Sequence, residues 1–132
     1  MKKILVSFMV LSSLLSAISC KNGEKAENQP AETVVSEFDV TVLSDVIGED
    51  GVRTVSVRPS GVCSTRIDIS VKDGIVLNVA FTNGCSGNTQ GIAKLIEGMA
   101  VEEAISRLEG IDCGGKGTSC PDQLSKALKY LQ

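Results

Sequence analysis

Apolar and polar residues alternate along much of the first two thirds of the chain, and this period of two is typical of β-strands. The stretch FDVTVLSDVIGEDGVRTVSVRPSG alternates on both sides of Asp50-Gly51, which is a strong hairpin signal. The stretch CSTRIDISVKDGIVLNVAFTNG repeats the arrangement around Asp73-Gly74. The side chains expected to share its apolar face are Ile67, Ile69, Val71, Ile75, Leu77, Val79 and Phe81. The pattern predicts an antiparallel meander of about four strands with one buried face.

After Gly84 the apolar period changes from two residues to about 3.6, which indicates amphipathic helices. Three such segments follow, separated by Gly98 and by the glycine-rich loop GIDCGGKGTSC. Their expected core positions are Ile92, Leu95, Ile96 and Met99, then Val101, Ala104, Ile105 and Leu108, and finally Leu124, Ala127, Leu128 and Leu131. Strands followed by helices predict an α+β fold, with three short helices on one face of the sheet.

The first 20 residues are predicted to be a secretory signal. Lys2 and Lys3 precede an apolar run from Ile4 to Ile18, which is short for a membrane-spanning helix. The run ends in SAISC, which resembles a bacterial lipoprotein signal whose cleavage leaves Cys20 as the lipidated N-terminus. We therefore expect a bacterial cell-envelope protein, held at the membrane by lipid on Cys20. A plain export signal and an uncleaved anchor are the alternatives.

The polar stretch at residues 21–37 is expected to be a flexible tether, and residues 38–132 are expected to form one domain. A core with few aromatic side chains would benefit from a bound metal or from disulfides. The net charge is −3 and no basic stripe is interleaved with aromatic residues, so nucleic acid is not an expected partner. The absence of histidine excludes a Ser-His-Asp triad and any His metal ligand.

The predicted domain contains four cysteines with the spacing C-x21-C-x27-C-x6-C, namely Cys63, Cys85, Cys113 and Cys120. All lie at the ends of predicted elements, whereas structural free cysteines usually fill core positions. No C-x2-C pair is present, so the zinc-ribbon spacing does not apply. The placement indicates a four-sulfur site for zinc or an iron–sulfur centre. Two structural disulfides, or a thiol redox pair of Cys113 and Cys120, are the alternatives.

Cys120 is followed by a proline, which favours the first helical position and makes Cys120 the predicted N-cap of the last helix. Cys85, in GCSGN, occupies a similar place before the first helix. A sulfur at such a place faces unpaired N–H groups and the positive end of the helix dipole. Both favour thiolate, which is the form that binds metal or attacks a disulfide.

The segments GVCSTRIDISVKDGIVLNVAFTNGCSGNTQGIAKLIEG and GIDCGGKGTSCPDQLSKAL resemble the TSCPD domain, a family named for the motif at residues 118–122. The resemblance covers residues 55–130 and includes all four cysteines of the predicted domain. It implies a domain that occurs alone in small bacterial proteins and at the C-terminus of cobalamin-dependent ribonucleoside-diphosphate reductases. The chain has no room for the catalytic barrel of that enzyme, so we expect no reductase activity from the chain by itself.

A second resemblance is to the U-type iron–sulfur scaffold proteins, in the order of strands, hairpin, a GC pair at a helix start and a Cys at the last helix. It would match the three scaffold cysteines to Cys63, Cys85 and Cys120. Thr65 stands where the scaffold has an aspartate, Ser119 stands where it has a histidine, and Cys113 is an addition. The resemblance implies the scaffold fold with an all-sulfur site, and it leaves cluster assembly and transfer open.

Overall fold

The computed structural model describes residues 34–35 and 39–132. Antiparallel strands pair in chain order to form one sheet, and three helices follow them. The strands are β1 (Val34–Val35), β2 (Thr41–Ile47), β3 (Arg53–Arg58), β4 (Ser64–Lys72) and β5 (Ile75–Asn83), and the helices are α1 (Ser86–Ile96), α2 (Val101–Leu108) and α3 (Cys120–Tyr130). The predicted α+β fold, a meander followed by three helices, is confirmed.

β1 adds a short fifth strand to the four that the alternation predicts. Its two residues pair with Val42 and Thr41 of β2, although they belong to the stretch predicted as a tether. The remainder of that stretch, the predicted signal and Cys20 lie outside the described residues. Within the described part of the chain, no helix has both the length and the apolar character needed to cross a membrane.

The two predicted Asp-Gly hairpins form with different loops. Asp73 and Gly74 both have positive φ, at 50° and 74°, as a two-residue hairpin turn requires. At the first hairpin, Gly51 has a φ of 79° and donates its N–H to the Gly48 carbonyl at 2.9 Å. The Gly48 N–H in turn donates to the Val52 carbonyl at 2.9 Å. A longer, five-residue loop between Ile47 and Arg53 therefore closes the first hairpin.

The core lies between one face of the sheet and the helices. The fully buried side chains of the central strands are Val55, Val57, Ile67 and Ile69. The fully buried apolar side chains of the helices are Ala104, Leu124, Ala127 and Leu128. The helical period predicted four core positions in α2, and all four are buried. The apolar stripes of α2 and α3 thus face the sheet as the sequence pattern requires.

The predicted apolar face of β5 was wrong for two residues. The register between β4 and β5 shifts by one residue at Leu77, which is a β-bulge. Because side chains alternate between faces, one extra residue moves the following side chains to the opposite face. Val76 and Val79 are therefore buried, while Ile75 and Leu77 are 36% and 40% exposed.

Leu95 was also predicted to be a core residue, and its side chain is 77% exposed. The stripe that α1 turns toward the core runs through Thr89, Ile92, Ala93 and Ile96, at the spacing of a single helix face. Leu95 lies beside this stripe rather than within it, although its spacing of three residues from Ile92 matches the helical period.

The C-terminal end of α3 is fastened to the β2–β3 hairpin by a charged cluster. The Arg53 guanidinium donates through Nε and Nη2 to the Asp45 carboxylate, at 3.0 and 2.7 Å. The Tyr130 hydroxyl donates to the same carboxylate at 3.0 Å, and the guanidinium lies 5.4 Å from the centroid of the Tyr130 ring. The hydrogen bonds from Arg53 hold the pKa of Asp45 below its ordinary value. The opposite end of α3 carries Cys120.

Substitutions of a buried and an exposed leucine test which apolar side chains form the core. Leu128→Ala leaves a cavity in a fully buried position and should lower the free energy of unfolding by about 2–5 kcal/mol. Leu95→Ala is the matched control, and it should change that free energy by about 0.5 kcal/mol or less because Leu95 is exposed. Urea unfolding followed by circular dichroism measures both. Similar losses in the two variants would contradict the described core.

Candidate four-cysteine site

The four cysteines of the domain line one cleft, which we call the cysteine cleft. Its volume is about 490 Å³, and it lies between the start of β4, the start of α1, the loop from α2 to α3 and the start of α3. Its apolar lining comes from Ile92, Leu95 and Ile111. Its sulfur-bearing residues are Cys63, Cys85, Cys113 and Cys120. The structure thus brings every predicted metal ligand into one place.

Cys63 and Cys120 form the close pair of this cleft, with their Sγ atoms 3.9 Å apart. A disulfide bond is far shorter, at about 2.05 Å. In a tetrahedral site with Zn–S bonds of about 2.3 Å, two sulfurs are separated by about 3.8 Å. The separation of the pair therefore matches two thiolates that share one metal ion.

The Cys120 sulfur has a second contact, with the hydroxyl of Ser64. The Ser64 Oγ lies 3.0 Å from the Cys120 Sγ, and the Ser64 side chain is buried. Cys120 itself is half-buried, whereas Cys63, Cys85 and Cys113 are exposed. Cys120 is therefore the most enclosed of the four sulfurs and has a hydroxyl beside it.

Cys85 and Cys113 line the same cleft, but they do not form a cluster of metal ligands with Cys63 and Cys120. In the part of the chain that the structure describes, no three Cys, Asp or Glu side chains converge closely enough to hold one metal ion. Cys85 immediately precedes α1, and Cys113 belongs to the loop between α2 and α3. The site as described is one close pair of sulfurs with two further sulfurs in the surrounding cleft.

The sequence prediction for the helix caps was right for Cys85 and wrong for Cys120. Cys85 is the N-cap of α1, and its side chain makes no capping hydrogen bond. The N-cap of α3 is Ser119, whose Oγ accepts from the Asp122 N–H at 3.1 Å. A serine oxygen is a strongly preferred N-cap acceptor, and proline is tolerated anywhere in the first turn. Cys120 is therefore the first helical residue, and its sulfur remains at the positive end of α3.

The carboxylate of Asp122 holds both ends of the loop that carries Cys113. Asp122 is 4% exposed. It accepts a hydrogen bond from the Gly110 N–H at 2.8 Å and another from the Thr118 hydroxyl at 2.7 Å. The Lys126 ammonium lies 3.1 Å from the same carboxylate. One buried side chain therefore fixes where this loop leaves α2 and where it enters α3.

Gln123 extends this arrangement to the segment before Cys63. Its side chain is 1% exposed, and its Nε2 donates to the Thr118 Oγ1 at 3.0 Å. Its Oε1 accepts from the Ser60 N–H at 2.8 Å. We call Asp122 and Gln123, with the groups they bind, the helix clamp. The clamp joins the segments that carry Cys63, Cys113 and Cys120.

The clamp lies within a region of the chain that matches a known family. A family model of the TSCPD domain matches residues 48–132, which include the four cysteines and the whole clamp. The chain belongs to the TSCPD domain family. This membership relates the chain to the C-terminal domain of cobalamin-dependent ribonucleoside-diphosphate reductases. No curated protein and no solved structure matches the chain, so the likeness to U-type scaffolds stays a prediction.

Within this TSCPD domain, the glycine-rich loop has a defined conformation. The Asp112 carboxylate accepts from the N–H groups of Gly115 and Gly117, both at 2.6 Å. These glycines have φ of 75° and 74°, a region that other residues rarely adopt. The Cys113 N–H donates to the Thr118 carbonyl at 3.1 Å. The backbone on both sides of Cys113 is therefore held by hydrogen bonds.

The clamp of the TSCPD domain was not predicted from the sequence. The signal for it is present in α3, where Asp122, Gln123 and Ser125 are polar residues that the fold buries. Buried polar groups require hydrogen-bond partners, and those partners lie in other segments of the chain. Ser119, at the position of the scaffold histidine, lines the cleft, but its hydroxyl caps α3.

The protonation state of Asp122 follows from its surroundings. Burial acts to raise the pKa of this carboxyl, but the hydrogen bonds from Thr118, Gly110 and Lys126 together outweigh burial. The pKa is held below the ordinary value of 3.8. Asp122 is therefore a carboxylate at neutral pH, as its three donors require.

Replacement of this carboxylate by an amide should loosen the Cys113 loop. Asp122→Asn removes the charge that faces Lys126 and one acceptor oxygen, so we expect a loss of about 1–3 kcal/mol of unfolding free energy at pH 7. Backbone amides of residues 110–118 should exchange with deuterium faster than in the unaltered protein. Urea unfolding and hydrogen exchange measure the two effects.

The stability difference between Asp122→Asn and the unaltered protein should depend on pH. The folded pKa of Asp122 is below the unfolded one, so its contribution is present at neutral pH and is lost as pH falls through the folded value. The difference should therefore shrink below a pH of about 4. Glu103→Gln, at an exposed carboxylate, is the control. A difference that stays constant with pH would contradict the role given to this carboxylate.

Proposed function

We propose that this TSCPD domain binds a metal centre, zinc or an iron–sulfur centre, through Cys63, Cys85, Cys113 and Cys120. The observation that carries the proposal is their common cleft, in which one pair of sulfurs already has the separation of two ligands on one metal. Thiolates are soft ligands that favour both kinds of centre. Four protein ligands would leave no open position, so the role is structural or electron-transferring rather than hydrolytic.

The surroundings of the sulfurs support metal binding. Cys85 and Cys120 both lie at helix N-termini, where the dipole stabilises negative charge such as that of thiolates or of a thiolate-bound centre. The apolar side chains of Ile92 and Ile111 line the cleft beside the sulfurs. The donor set itself is all sulfur, as tetrahedral zinc and iron–sulfur centres accept.

The clamp supplies the positioning that such a site needs. Metal sites depend on neighbouring groups that orient their ligands. Here the buried side chains of Asp122 and Gln123, in the same helix as Cys120, bind the segment before Cys63 and both ends of the loop that carries Cys113. The closeness of Cys63 and Cys120 follows from this packing, although 57 positions separate them in the chain.

The predicted lipoprotein signal adds a location to the proposal. A lipid anchor on Cys20, followed by the polar stretch at residues 21–37, would hold the domain at a membrane of the bacterial cell envelope. The fifth cysteine would then serve the anchor and take no part in the metal site.

Substitution of single cysteines should distinguish those that bind metal from the one that carries the lipid anchor. Each of Cys63→Ser, Cys85→Ser, Cys113→Ser and Cys120→Ser should lower the metal content of the anaerobically purified full chain by about tenfold or more. Cys20→Ser should leave the metal content unchanged but move the protein from the membrane fraction to the soluble fraction. Elemental analysis and cell fractionation measure these outcomes. A chain that takes up no metal at all would overturn the proposal.

Structural disulfides are the second candidate. The 3.9 Å between Cys63 and Cys120 makes them the pair that a small movement would join. An exported chain would also meet an oxidising compartment. The third interpretation, a redox pair of Cys113 and Cys120, has less support, because the sulfur that contacts Cys120 is that of Cys63.

Intact mass under non-reducing conditions tests the disulfide candidate. Two bridges would lower the mass by about four hydrogens, and peptide mapping should find the Cys63–Cys120 bond among them. The metal-site proposal predicts instead the mass of four free thiols after metal removal. Prior treatment of one sample with a reductant gives the reference mass.

A further inference from the structure

We propose that Ser64 is a positioning residue of the metal site, and that its hydroxyl donates a hydrogen bond to the metal-bound sulfur of Cys120. This inference rests on the proposed function and adds a residue to it. Ser64 would not bind the metal itself but would act through the Cys120 sulfur. Three features support this role, namely the place of Ser64 in the sheet, its contact with the sulfur and its packing against the segment before Cys85.

A β-bulge at the start of β4 turns the Ser64 side chain inward. Ile67 is fully buried, so strict alternation would also bury Thr65 and would expose Ser64. Instead, the register between β4 and β5 shifts between Ser64 and Arg66, and Thr65 and Arg66 are both exposed. Ser64 is only 3% exposed. Bulges beside functional sites re-aim side chains in this way, and this one directs a hydroxyl toward Cys120.

The contact with Cys120 has a defined direction once the sulfur binds metal. The Ser64 Oγ lies 3.0 Å from the Cys120 Sγ, and with a free thiol either group could be the donor. A metal-bound thiolate has no proton to give, so only the hydroxyl can then donate. Buried hydroxyls need a hydrogen-bond partner, and among the described residues the Cys120 sulfur fills this role for Ser64.

Ser64 also packs against the segment that leads to Cys85. A methyl group on Gly84 would lie 2.7 Å from the Ser64 Oγ, which is closer than such atoms approach in proteins. The glycine therefore leaves the space that the hydroxyl occupies. Since Ser64 directly follows Cys63 in the chain, this one small side chain lies beside the segments that carry Cys63, Cys85 and Cys120.

A hydrogen bond at this place should affect the metal centre in two ways. It holds the sulfur in one orientation, and loss of such an outer-shell contact typically weakens metal binding by about tenfold or more. It also stabilises the negative charge of the thiolate, as hydrogen bonds to ionised groups do. Cys120 is the most enclosed of the four sulfurs, and hydrogen bonds are stronger where less water surrounds them.

Cobalt(II) titration of the anaerobic full chain, in mild detergent, compares Ser64→Ala with the unaltered protein. The charge-transfer band from sulfur to cobalt reports the charge on the bound thiolates, and the titration gives the affinity. We expect Ser64→Ala to bind cobalt about tenfold more weakly. We also expect its charge-transfer band at longer wavelength, because the thiolate has lost the proton that stabilised its charge. Circular dichroism checks that the variant, which lacks only one oxygen atom, is folded.

Ser56→Ala is the matched control. Ser56 is also a serine of the sheet that is 3% exposed, but its hydroxyl contacts the side chains of Arg66 and Asp68. This variant loses a buried hydroxyl of the same kind without touching a cysteine. It should bind cobalt as the unaltered chain does and should keep the position of the charge-transfer band.

Ferrous iron with sulfide is the second probe, for a chain that takes up an iron–sulfur centre. The midpoint potential of the centre is then the readout, because hydrogen bonds to the sulfurs set it. It should become more negative in Ser64→Ala and stay unchanged in Ser56→Ala, since the lost bond favours the more negatively charged, reduced state.

Two results would overturn the inference while leaving the four-cysteine metal site standing. One is an unchanged charge-transfer band, or an unchanged potential, in Ser64→Ala, because weaker binding alone would show only a packing role. The other is an equal shift in Ser56→Ala, because the effect would then not depend on the contact with Cys120. An unaltered chain that binds neither cobalt nor iron with sulfide would remove the inference together with the proposed function.

Discussion

The buried carboxylate of Asp122 is the interaction on which the cysteine cleft depends. Its hydrogen bonds fix the two ends of the loop that carries Cys113, and it lies in the same helical turn as Cys120. A buried charge is stable only where it is fully paired, and here two hydrogen-bond donors and one lysine satisfy it. Loss of any of these partners would be costly. The loop is therefore held in one position beside α3. Gln123 holds the segment before Cys63 in the same way, by accepting a hydrogen bond from the Ser60 N–H.

The elements that the sequence pattern predicted best are those with an undisturbed period. β3 and β4 alternate without interruption over their paired length, and α2 buries all four of its predicted core positions. The errors have local causes that a period does not reveal. A single bulge at Leu77 changes the face of the neighbouring side chains, and Leu95 lies just outside the stripe that α1 buries. The cap of α3 was misplaced by one residue because the proline is in the second helical position rather than the first.

The gathering of the four cysteines was predictable from their places at the ends of elements, since those ends meet at one edge of the fold. The clamp was not predictable in the same way. Its hydrogen bonds join residues up to 63 positions apart, and no short-range pattern encodes such a contact. The separation of the sulfurs is likewise a property of the packed structure.

The central claim is that the sulfurs of the cleft hold a metal centre, and X-ray absorption at the metal edge of the anaerobically isolated protein tests it most directly. We expect a first coordination shell of sulfur alone, at about 2.3 Å. A first shell that contains oxygen or nitrogen would contradict the four-cysteine site.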